Sequence, residues 1–70
     1  LTKRTTRDKI LEYFKMQSQK KGSKIFNLPM TFTELANYLS VDRSAMTREI
    51  KNLKDEGFIK ANGKKITIKY

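Results

Sequence analysis

The chain has no cysteine and no histidine among its 70 residues. Without cysteine there is no disulfide and no thiolate ligand. Without histidine the commonest general base and metal ligand is missing too. Structural zinc, held by those two side chains, is thereby excluded. Tryptophan is absent, and three glycines and one proline are all the chain has of either. No glycine-rich loop that could cradle a phosphate is present. No apolar run nears the roughly 20 residues of a membrane-spanning helix. No segment has the charged-then-apolar order of a signal peptide. Acid is scarce as well, with seven Asp and Glu against sixteen Lys and Arg.

What remains is one small, basic domain with a modest core. A net charge of +9 and a pI near 10.1 favour polyanionic partners, either nucleic acid or an acidic membrane face. The acid pairs, Asp55-Glu56 and Asp8 with Glu12, sit beside lysines as surface charges do. No nucleophile can be matched with a base, so no enzyme, cofactor or metal is expected. The chain starts at Leu1 rather than Met, and residues 1–70 are read as one domain of a longer protein.

Hydrophobic spacing divides the chain. Residues 6–20 read as a helix, with Ile10, Leu11 and Phe14 in a stripe that Tyr13 flanks. Thr5 or Thr6 can cap it, and Gly22 suits its end. Its apolar face is short, which favours packing in a core over lying on a membrane. Lys24 to Leu28 reads as a short strand ended by Pro29. Thr31 and Glu34 have the spacing of a capping box, opening a second helix that buries Leu35, Ala36 and Leu39. Ser40 and Val41 make a turn. Asp42 caps a third helix over residues 42–56, and Gly57 ends it. Residues 58–68 read as a β-hairpin turning at Asn62-Gly63, where both residues tolerate positive φ. Ile66, Ile68 and Tyr70 alternate there with Lys65, Thr67 and Lys69.

The third helix carries the functional signal. At roughly 100° per residue, Met46, Ile50 and Leu53 fall within about 60° and should face the core. Arg43, Ser44, Thr47, Arg48 and Lys51 share a separate arc of about 140° that contains no acid. Glu49 and Asn52 lie outside it. An Arg fork matches O6 and N7 of guanine in the major groove. Ser and Thr hydroxyls serve bases or phosphates, and Lys51 can neutralise a phosphate. An ordinary solvated helix face would look similar. The short turn before the arc and the basic hairpin after it favour DNA. The fold class expected is mainly α with a small antiparallel sheet, a winged helix-turn-helix.

Taken in order, Leu28-Pro29, Glu34-Leu35-Ala36, Val41 to Arg43, Arg48 and Gly57-Phe58-Ile59 resemble the DNA-binding domain of the Crp/Fnr family of bacterial transcription regulators. The resemblance spans nearly the whole chain. It implies an effector-sensing barrel and a dimerising helix upstream of Leu1. It also implies a cytoplasmic homodimer on a palindromic operator, RNA polymerase as a further partner and no membrane. Any small-molecule effector would bind the upstream part. Arg43, Ser44, Thr47 and Arg48 are then the residues expected to contact bases. Thr31, Thr33, Lys51, Lys64 and Lys65 are expected on phosphates. Ser44 stands where the family often has Glu, which removes an acceptor for cytosine N4. Ser40 stands where the turn usually has glycine, so it must accept left-handed torsions or the turn must differ.

Two rivals make distinct demands. A protein-binding winged helix needs an exposed apolar patch on the third helix. RNA binding favours exposed aromatics, whereas the aromatics here fall mainly at core positions.

Overall fold

The computed structural model describes residues 4–70. The start of the expected domain, residues 1–3, lies outside the described residues. The elements are α1 (Thr6–Lys21), β1 (Ile25–Asn27), α2 (Phe32–Leu39), α3 (Arg43–Asp55), β2 (Ile59–Asn62) and β3 (Lys65–Ile68). Three helices and a three-stranded antiparallel sheet make a winged helix-turn-helix. The sheet order is β1-β3-β2, so the strand after α1 pairs with the far side of the hairpin.

Each helix starts where a side chain can satisfy free backbone N–H groups. Thr5 caps α1 in a capping box with Asp8. Thr31 does so for α2 with Glu34, at 3.1 and 2.9 Å. Asp42 caps α3 by accepting from the Ala45 N–H at 3.1 Å. The ends repeat one device, the Schellman motif. Ser23 N–H bonds Ser18, Val41 bonds Ala36 and Phe58 bonds Leu53, each reaching back five residues. The motif needs a left-handed residue. Gly22 supplies it after α1 (φ 74) and Gly57 after α3 (φ 82). After α2 the residue is Ser40, at φ 57 and ψ 44. The serine does take the left-handed torsions.

The core lies where α1, α2 and α3 meet the inner face of the sheet. Ile10, Phe14, Leu35, Met46, Leu53, Ile59 and Ile66 are its fully enclosed side chains. Burial of each contributes about 1.5–3 kcal/mol relative to exposure. Met46, Ile50 and Leu53 anchor α3, as the wheel predicts. Ile66 and Ile68 point inward from β3.

Several expectations shift. Tyr13 is itself core, 5% exposed, and Leu39 and Leu11 are only partly buried. The strand expected over Lys24 to Leu28 is shorter. The hairpin turn sits one residue later than Asn62-Gly63. Asn62 pairs with Lys65, leaving Gly63 and Lys64 as the loop, and only Gly63 has positive φ. That is the torsion pattern of a turn with glycine at its first central position. The aromatics divide more evenly than expected. Tyr13, Phe14 and Phe26 are buried, but Tyr38 is 63% and Phe58 38% exposed.

Candidate nucleic-acid interface

The site is built from α3 outward. Capping by Asp42 fixes its start, and the Ser40 turn fixes its angle to α2. A clamp from α1 fixes its back. The Arg7 Nε–H donates to Glu49 Oε1 at 2.6 Å, and its two terminal nitrogens donate to both Glu56 oxygens. Glu49 and Glu56 are two helical turns apart, so one guanidinium spans the outer side of α3. The Phe58 ring lies beneath it, 5.9 Å from guanidinium carbon to centroid. The hydrogen bonds to Glu56, then those to Glu49, raise the Arg7 pKa. The Arg7 guanidinium in turn holds the Glu56 carboxyl below the usual carboxylate range.

With that side occupied, the free side of α3 is the arc. Arg43, Ser44, Thr47, Arg48 and Lys51 are all exposed. They line one shallow depression of about 450 Å³. Neither arginine holds an ion pair among the described residues. Lys51 does: its ammonium lies 2.9 Å from Asp55 Oδ2, one turn on. The acid-free arc therefore meets an acid at its C-terminal edge, which the wheel of the first turns left out.

Every carboxylate has a structural partner. Asp8, Glu34 and Asp42 sit in helix caps. Glu12 pairs with Arg4, Glu49 and Glu56 with Arg7, and Asp55 with Lys51. Among the described residues, Arg4, Arg7 and Lys51 are thus the only cations in ion pairs. The other described lysines and arginines are exposed, apart from the half-buried Lys9.

The residues expected on phosphates fall in two places. The Thr31 hydroxyl oxygen accepts from Glu34 N–H, so it holds the helix cap and keeps only its own proton to donate. Thr33 is exposed one residue into α2. Lys64, in the hairpin loop, lies near enough to Glu34 to help depress its carboxyl, after the larger effect of the Thr31 backbone bond. Lys64 thus belongs beside the start of α2. Lys65 instead joins Lys54 and Lys60 in a furrow along β2. The two wing lysines are not one contact. The Arg7 clamp and the furrow residues Lys54 and Lys60 escape sequence reasoning. Arg7 lies 42 residues from Glu49, beyond any local pattern.

Among the described residues the exposed large apolar side chains are Met16, Ile25, Tyr38 and Phe58, and a depression lined by Phe32, Met46 and Ile50 borders the arc at Thr47 and Lys51. Met16 and Tyr38 flank a depression between α1 and α2, with Tyr13 and Leu39. Tyr38 packs its ring edge-on to Tyr13 at 5.7 Å. Phe58 meets Tyr70 edge-on at 6.5 Å and covers its own face with Arg7. No helix among the described residues is long and apolar enough to cross a membrane.

A family model described as a Crp-like helix-turn-helix domain matches residues 8–70. It takes in every element from the first turn of α1 to the end of the wing. A search of curated proteins finds no match.

Proposed function

Because the chain belongs to the Crp-like helix-turn-helix domain family, and so is the DNA-binding part of a transcription regulator, we propose that it reads a specific double-stranded sequence through α3. Arg43, Ser44, Thr47 and Arg48 contact base edges in the major groove. Thr31, Thr33, Lys51, Lys64 and Lys65 hold phosphates on either side. The observation that carries this reading is that the five α3 side chains line one depression with no acid in its lining. Two guanidinium forks with no ion pair among the described residues stand in it beside two hydroxyls, the groups that discriminate guanine and adapt to its neighbours.

One domain offers one recognition helix, so it reads a half-site. The protein is then a homodimer on a palindromic operator, whose two-fold symmetry mirrors its own. Control of transcription brings RNA polymerase as a further partner, and any effector acts from outside this domain. Lys51 enters its phosphate contact by exchanging Asp55 for the phosphate.

Selection of bound duplexes from a random pool tests the reading. A short enriched motif containing guanine supports it. Enrichment of no sequence, with binding that is nonetheless salt-sensitive, would leave only non-specific attraction.

A further inference from the structure

A second depression opens on the other side of Arg48. Thr5, Thr6 and Arg7 line it from the start of α1, and Ala45, Arg48 and Glu49 from α3. Arg48 also lines the reading arc, so it stands between the two. A reading guanidinium therefore shares a hollow with the carboxylate that follows it in the chain. That carboxylate is committed elsewhere. Arg7 Nε–H donates to Glu49 Oε1 at 2.6 Å, and no other cation pairs with Glu49 among the described residues. The Glu49 side chain is only 21% exposed, against 45% for Glu56. A desolvated charge that loses its partner costs far more than the pair contributed, so it recruits whatever cation it can reach. No Lys or Arg lies three or four residues from Glu49 on α3, the spacing at which helical side chains meet. Without Arg7, the cation left in the depression is Arg48.

We propose that, given the reading of bases by α3 on which this rests, Arg7 is a positioning residue for base choice: by holding the Glu49 carboxylate, it keeps Arg48 available to guanine. A guanidinium engaged by a carboxylate cannot present both parallel N–H groups to O6 and N7. Arg7 acts through Glu49 and needs no contact with a base. This masking is distinct from the clamp. The clamp on α3 uses both Glu49 and Glu56, whereas the mask uses Glu49 alone. Glu56 lines neither the arc nor the second depression.

The test is a double-mutant cycle read as base preference. Binding to the selected duplex and to its single-base variants is measured at a temperature where circular dichroism shows each chain folded. The position that Arg48 reads is the one where Arg48→Ala loses preference. At that position Arg7→Met should lose about tenfold in discrimination. Arg7→Met with Glu49→Gln should regain it although the melting temperature stays low, because glutamine offers Arg48 no charge. Glu49→Gln alone should keep the preference. Glu56→Gln should lower the melting temperature and keep it too, since Arg7 still holds Glu49. Should Arg7→Met not fold, Arg7→Gln, which keeps a donor but not the charge, takes its place in the cycle. A merely structural role for Arg7 predicts another pattern: preference follows melting temperature, and Glu49→Gln rescues nothing. That pattern, or full discrimination by Arg7→Met where Arg48→Ala has lost it, would overturn the mask alone. If the unaltered chain showed no base preference, or Arg48→Ala kept all of it, the reading of bases by Arg48 would fall first.

Discussion

Replacing Ser40 by glycine should stabilise the domain without touching the reading surface. Ser40 is the left-handed residue of the α2 Schellman turn, at φ 57, where α1 and α3 use glycine. A side chain in that region costs roughly 1–2 kcal/mol because its Cβ crowds the following carbonyl. Ser40 is exposed, so losing its hydroxymethyl group removes no packing. Against the gain stands the greater freedom of glycine in the unfolded chain, about 0.5–1 kcal/mol. The net is a stabilisation of about 0.5–1 kcal/mol, or a rise in melting temperature of roughly 2–8 °C for a domain this small. Thermal unfolding followed by circular dichroism measures it. Urea unfolding should show a higher midpoint at unchanged slope. DNA affinity at a temperature where both forms are fully folded should not change. An unchanged or lower melting temperature would mean that Ser40 is not strained in solution and that the turn between α2 and α3 differs from the one described.

Other outcomes follow from the charged network and the wing. Arg7→Met should lower the melting temperature by unclamping α3, and it should also flatten the acid limb of stability. Glu56 is held below its ordinary range by Arg7, so its contribution is full above about pH 4.5 and is lost as pH falls through the folded value. Identical acid unfolding curves for both chains would refute the clamp. At the other extreme, Tyr70 donates to the Leu11 carbonyl at 2.7 Å, and burial pushes its pKa up to about 12. The neutral form is favoured by the fold, so its contribution is full below pH 10 and is lost as pH rises to about 12. Tyr70→Phe should abolish that step in a base titration, and superimposable curves would count against it. Lys64→Ala should weaken all duplexes alike and make the salt slope shallower by about 0.9. A change in preferred bases would contradict its place on a phosphate.

Local chemistry made much of this fold legible. Capping residues and glycines mark helix ends because they act within a few residues, and Thr31, Asp42, Gly22 and Gly57 all do so here. The buried triplet of α3 follows from a period of 3.6. The arc follows from the same wheel, and Arg43, Ser44, Thr47, Arg48 and Lys51 do stand together. Contacts between distant segments were not legible. The Arg7 clamp joins residues with no sequence relation. The pairing of β1 with β3 depends on the chain returning after two helices. The separation of Lys64 from Lys65 turned on one residue of hairpin register, which sends neighbouring side chains to different surroundings. Tyr38 stays largely exposed although its ring meets Tyr13 of α1, and its own sequence neighbours do not reveal that.

The central claim is that α3 chooses the bases. Its most direct measurement is the base preference of Arg48→Ala, determined on every single-base variant of the selected site at fixed salt. Arg48 is exposed, holds no ion pair among the described residues and lies inside the α3 depression. Its removal should cost about 1–3 kcal/mol on the preferred duplex and relax discrimination at one position, with the others kept. If Arg48→Ala instead weakened every sequence equally and kept full discrimination at every position, Arg48 would be a backbone contact and the reading of bases would have to lie elsewhere.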